Sequence, residues 1–176
     1  MKKHIIRYAS FAFAILGMVS CSEEQETALR PQDAKSTPMT FLVSYPGQAT
    51  RATETSFEQN DRIGLYVADA KAQLEIGGNL VNNEALTYNG SKWAAARTLY
   101  WDKGTYTAYA YYPYMEDVSS ITDQPFSVVL DQSTAKSKET LGGYEASDLL
   151  FASSKNISAS ASPIPLNFKH IMSKLK

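Results

Sequence analysis

Thr105-Tyr106-Thr107-Ala108-Tyr109-Ala110-Tyr111-Tyr112 is the stretch on which the fold turns. Threonine and tyrosine favour extended backbone, and the side-chain period of two puts Tyr106, Ala108, Ala110 and Tyr112 on one face and Thr105, Thr107, Tyr109 and Tyr111 on the other. Pro113 ends the run, because a residue without a backbone N–H cannot continue a central ladder. Upstream, Asp102-Lys103-Gly104 is a turn, with Arg97–Trp101 extended before it. Ala85–Tyr88 meets the hairpin signal Asn89-Gly90, and Lys92-Trp93 returns on the other side. Arg62–Val67 reads as a strand, and so do Pro125–Leu130, Asp148–Ala152 and Leu166–Leu175.

The first strand of the set is Met39-Thr40-Phe41-Leu42-Val43-Ser44-Tyr45, whose apolar face is Met39, Phe41, Val43 and Tyr45 and whose end is marked by Pro46-Gly47. No sustained helical stripe or long repeat competes with this pattern. Short strands at such spacing predict an all-β domain, a two-sheet β-sandwich in preference to a barrel. Between Asp131 and Ala146 a polar stretch carrying Gly142-Gly143 is expected to be a long exposed loop.

The 176 residues hold enough apolar material for one such domain, 44% of the chain. The N-terminus stands apart from it. Lys2, Lys3 and Arg7 precede an apolar run over Tyr8–Val19, the pattern of a secretory signal peptide, and about a dozen residues fall well short of the roughly 18 that span a bilayer. Met18-Val19-Ser20-Cys21 resembles the lipobox of bacterial lipoproteins, which implies cleavage after Ser20 and acylation of Cys21. Several acyl chains, at about 0.8 kcal/mol per buried methylene, hold a soluble domain on a membrane without a helix. Ser22-Glu23-Glu24 resembles the acidic tract that directs lipoproteins of Gram-negative anaerobes to the outer face of the outer membrane. The expected organisation is therefore a signal peptide over 1–20, an acylated Cys21 with a polar linker over 21–38, and a β-sandwich domain over 39–176.

Removing residues 1–20 moves the formal charge from −1 to −4, so net charge offers no attraction for nucleic acid. One cysteine, assigned to lipid, leaves no disulfide framework and no cysteine cluster for a metal. Gly77-Gly78 and Gly142-Gly143 lack the residues of a phosphate-binding loop, and no Gly-x-Ser-x-Gly elbow accompanies His170, which reads as structural. Glu116-Asp117 reads as a solvated turn, since neighbouring strand residues point apart. The expectation is a non-enzyme without a cofactor. The aromatic cluster from Trp93 to Tyr114 reads as core, with Trp93, Trp101 and nearby tyrosines as the alternative platform of a monomeric glycan-binding surface lipoprotein.

Five ordered segments resemble the fimbrillin family, subunits of lipoprotein-derived fimbriae of Gram-negative anaerobes. They are Thr50-Arg51-Ala52, Phe57–Tyr66, Thr105–Tyr114, Asp148-Leu149-Leu150, and Leu166–His170 with Ser173-Lys174-Leu175. Asn60 stands where the family usually has glycine, and asparagine tolerates the left-handed turn better than other side chains do. The resemblance implies a Greek-key, transthyretin-like sandwich and a structural or accessory subunit of adhesive fimbriae. It further implies that an arginine-specific protease cuts the precursor, here between Arg51 and Ala52, releasing the strand of Met39, Phe41, Val43 and Tyr45. A strand of a neighbouring subunit then fills the groove. Fimbrillins continue into a second β-domain that carries the donor segment, so the chain to Lys176 corresponds to the N-terminal domain alone. The implied partners are other fimbrial subunits, the protease, the outer membrane through lipid, and a host or bacterial surface receptor.

Overall fold

The computed structural model describes residues 37–46, 56–137 and 140–172. Thr105–Tyr112 is strand β5, at the bounds its alternation dictates, between β2 (Arg62–Asp69) and β6 (Leu150–Ser158), both antiparallel to it. With β3 (Val81–Tyr88), β4 (Trp93–Ala95) and β8 (Lys169–His170) these form a six-stranded sheet ordered β4-β3-β2-β5-β6-β8. A second sheet has two strands, β1 (Phe41–Ser44) and β7 (Ile164–Asn167), paired in parallel. The architecture is all-β in two sheets, as expected.

The core lies on the face of the large sheet that carries Tyr106, Ala108, Ala110 and Tyr112. Ile63, Leu65 and Val67 join it from β2, Leu86 from β3, and Leu150 and Ala152 from β6. Ile164 and Leu166 of β7 and the following Phe168 cover them from the small sheet. Two alanines in the middle of β5 leave room for these branched side chains to interdigitate.

The opposite face is more polar and held by one close contact. Gly64 lies opposite Tyr111, whose hydroxyl donates to Asn83 Oδ1 at 2.6 Å and lies 3.1 Å from the Met115 carbonyl. Burial raises the Tyr111 phenol to about 12. A Cβ on Gly64 would stand 2.2 Å from the tyrosine ring. Gly64→Ala is therefore expected to lower stability by about 3 kcal/mol, the upper end for forced overpacking, read as a lower urea midpoint with unchanged m-value.

Asn60 adopts φ +75°, the left-handed conformation that the family resemblance implies for it. Its N–H donates to the Tyr88 carbonyl at 2.8 Å, and the Tyr88 N–H returns to the Asp61 carbonyl at 2.9 Å, so this turn docks the start of β2 on the end of β3. Asn60→Val is expected to cost about 1–2 kcal/mol in the same unfolding assay, while Asn60→Gly retains stability. The Asn89-Gly90 hairpin also forms, with Gly90 at φ +91° and Asn89 Oδ1 accepting from the N–H groups of Ser91 and Lys92.

Four expectations are corrected. Pro125–Leu130 is not a strand: its one hydrogen bond in the fold runs from Val129 N–H to the Ser147 hydroxyl among the described residues, and Val128, Val129 and Leu130 are exposed. Both edges of β5 are taken by β2 and β6, and this segment joins neither sheet. Arg97–Trp101 makes only an isolated bridge, Tyr100 with Pro38. The last strand begins earlier, at Ile164, and changes sheets at buried Phe168, with β7 before it and β8 after. The loop around Gly142-Gly143 is not exposed there: both glycines and Glu145 are buried, with a 3-10 turn over Glu145–Ser147. A Cβ on Gly143 would meet the Asp131 carbonyl at 2.2 Å.

Candidate strand-exchange site

The strand expected to leave is seated in two ways. Thr37–Met39 runs antiparallel to Leu99–Trp101, with Met39 N–H donating to the Leu99 carbonyl at 2.8 Å and Trp101 N–H to the Thr37 carbonyl at 3.1 Å. Past Thr40 the chain abandons that edge and pairs in parallel with β7, where Ile164 N–H reaches the Thr40 carbonyl at 2.8 Å and Phe168 N–H the Ser44 carbonyl at 3.0 Å. Nine residues thus bridge two separate edges. Thr37 and Pro38, assigned to the linker by composition, belong to this seat: Thr37 is buried, and its carbonyl accepts the Trp101 N–H.

The side chains follow the expected alternation. Met39 is buried in the core, Phe41, Val43 and Tyr45 are partly buried against it, and Leu42 faces out at 61% exposure. Tyr45 packs edge-on to Phe57, with ring centroids 5.0 Å apart. Phe57 in turn contacts Trp93 at 5.0 Å, Phe168 at 5.5 Å and Tyr112 at 5.6 Å. Phe57 is the residue that the strand pattern alone does not single out, since it follows a polar stretch and belongs to no strand. Tyr45 and Phe57 flank the segment containing Arg51, so the chain returns to the place it left. Cys21, Arg51 and Ala52 lie outside the described residues.

Between β1 and the stretch from Lys92 to Leu99 lies a groove of about 320 Å³, lined in part by Met39, Phe41, Trp93, Ala95 and Leu99. β4 pairs with β3 along one edge, and the sheet order places it at the end of the large sheet. On the β7 side, the ring of His170 lies 6.2 Å from that of Tyr45, and its Nδ1 is 2.8 Å from Asp148 Oδ1. The site combines apolar side chains, ladder groups and aromatic edges with a polar border of Thr40, Lys92, Arg97 and Thr98. What such an arrangement can do is hold an extended segment, whether its own or another chain's.

The tryptophans are not a sugar platform. Trp93 and Trp101 are 8% and 2% exposed, Trp93 stacked on Tyr88 and Trp101 tilted against Tyr106. Their burial overturns the choice of these two residues for glycan stacking, because a platform needs an open ring face.

A candidate fimbrium tip subunit of Bacteroides ovatus, Fim1C, is 30% identical over 133 residues, 70% of this chain and 24% of that relative's length. The chain thus spans about a quarter of that protein. Among solved structures, a candidate cell adhesion protein of Bacteroides uniformis superposes with TM-score 0.52 at 19% identity, over 80% of this chain and 49% of that one. A fimbrial protein of Bacteroides ovatus gives 0.51 at 21% identity, over 76% and 28% of the two chains, and shares the fold. The family described as fimbrillin-like matches residues 50–176. With that match over most of its length, the chain belongs to the fimbrillin-like family.

Proposed function

We propose that the protein is a structural or accessory subunit of adhesive fimbriae at the cell surface, assembled by strand complementation. The observation that carries this reading is the seat of Thr37–Tyr45, which inserts alternate side chains into the core yet closes no sheet of more than two strands. Family membership and the fimbrial and adhesion proteins that share the fold support it. In this reading acylated Cys21 holds the precursor on the outer membrane, an arginine-specific protease cuts at Arg51–Ala52, and the strand leaves. A segment of another fimbrial subunit then takes its place, and the assembled fimbria meets a host or bacterial surface receptor. Assembly of this kind uses binding energy alone, without an active site or cofactor.

Intact mass and N-terminal peptide analysis of the protein from its native cell surface tests the proposal, with Arg51→Ala beside the wild type. The expected result is a chain beginning at Ala52 in wild-type assemblies and unassembled, lipidated chain beginning at Cys21 in the variant. A lipidated, uncut, monomeric chain in both would overturn it.

A further inference from the structure

On the rim of the large sheet, away from the groove beside β1, a cavity of about 200 Å³ opens between the Glu58–Arg62 turn and the loops that follow β5 and precede β6. Gln59, Asn60, Arg62, Tyr114, Lys136 and Thr140 are among its walls. The Arg62 guanidinium lies over the Tyr114 ring, 4.4 Å from its centroid. Stacking occupies one face of the guanidinium and leaves the N–H donors at its edge uncovered by the ring, and Arg62 is exposed at the cavity wall, an arrangement that suits a carboxylate.

The charges around the pocket are divided unequally. Lys136 is engaged by Asp61 and by Glu58 at 3.4 Å, and neither carboxylate lines the cavity. Arg62 has no carboxylate partner among the described residues. The described walls thus carry two cations and no acid, and one of the cations is uncompensated.

We propose that this pocket binds a carboxylate-bearing sugar residue of a glycan. Arg62 receives the carboxylate, and the side-chain amides of Gln59 and Asn60, each a donor beside an acceptor, receive ring hydroxyls. Drug-sized ligands occupy roughly 300–1,000 Å³, so a cavity of this size takes one ring and not an extended oligomer. A peptide fits less well: at Arg62 the chain pairs with Thr87 of β3 on one side and its carbonyl accepts the Tyr114 N–H at 3.0 Å on the other, which leaves no free carbonyl there for an extended backbone. The site shares no lining residue with the groove beside β1, so it stands whether or not the first strand is exchanged.

Titration of the isotope-labelled protein, followed by amide resonances, tests the site. N-acetylneuraminic acid and galacturonic acid are the acidic probes, galactose the neutral one, and acetyl-glutamate amide the peptide-like one. At least one acidic sugar is expected to bind in the millimolar range and shift the amides of Asn60, Arg62 and Thr140. Arg62→Gln is expected to weaken that binding about tenfold or more while amide dispersion elsewhere is retained. Added salt should weaken it further in the wild type. No shift with either acidic sugar, equal shifts with galactose, or full affinity in Arg62→Gln would each overturn the proposal. Acetyl-glutamate amide binding as tightly as the sugars would overturn the sugar class.

Discussion

A chain beginning at Ala52 is expected to lose its cooperative unfolding transition and to regain it when a synthetic peptide spanning residues 37–46 is added in trans. Full burial of Met39, Phe41, Val43 and Tyr45, at about 1.5–3 kcal/mol each, sets an upper bound of roughly 6–12 kcal/mol. Three of the four are only partly buried, which lowers the figure, but the backbone hydrogen bonds of Met39, Trp101, Ile164 and Phe168 are lost with them, and so is the β1–β7 pairing. Whole domains are stable by only about 5–15 kcal/mol, so this loss is comparable to the whole. The exposed remainder, Leu99, Trp93 and Leu166 among it, should bind hydrophobic dye. A peptide carrying Phe41→Asp and Val43→Asp keeps the backbone donors and loses the apolar face, and it should not restore the transition. If the truncated chain unfolds at the same denaturant midpoint as the full one, the strand contributes nothing that a donor could replace.

The second large effect lies in the turn before β2. Asp61 is a buried carboxylate that accepts the Glu58 N–H at 2.7 Å and the Lys136 ammonium, its side chain 4% exposed. Asp61→Ala leaves that N–H unmet and strips Lys136 of its inner partner, leaving only Glu58, whose side chain is 59% exposed. Breaking a buried pair from one side costs about 3–5 kcal/mol, and access of Lys136 to Glu58 places the expected loss near the lower end, about 3 kcal/mol. Asp61→Asn, which still accepts from Glu58, should lose less. Urea midpoints of the two variants measure this directly, and equal stability to wild type in Asp61→Ala would refute the role assigned to the pair. Burial works against the Lys136 charge, but hydrogen bonding and attraction to Asp61, with Glu58, outweigh it and hold the lysine above its ordinary 10.5. A raised lysine stabilises the fold fully below that value. The contribution is expected to fade as pH climbs past 10.5 through the higher folded value.

Much of this was readable before any coordinates. The alternation in Thr105–Tyr112, the Asn89-Gly90 hairpin and the inward face of Met39, Phe41, Val43 and Tyr45 all follow from rules that act over two to five residues, while the left-handed turn at Asn60 followed from the family resemblance. Failures came where pairing with a distant segment decided the outcome. Pro125–Leu130 has the composition of a strand, but composition gives only a preference, and the segment pairs with neither sheet. Residues 131–146 are polar and glycine-rich, yet Gly142 and Gly143 are buried because backbone from Asp131 to Lys136 packs against them.

The same division runs through the candidate sites. Local side-chain period and turn chemistry were sufficient to mark an apolar strand, its polar successor with Arg51, and the all-β class. That the strand is split between Leu99–Trp101 and β7 could not be read from it, because each pairing partner lies more than 50 residues away along the chain. Burial of Trp93 and Trp101 and the stack of Arg62 on Tyr114 were also left to tertiary structure. A side chain's composition says what it can bind, but whether its face is open is decided by which distant elements reach it first.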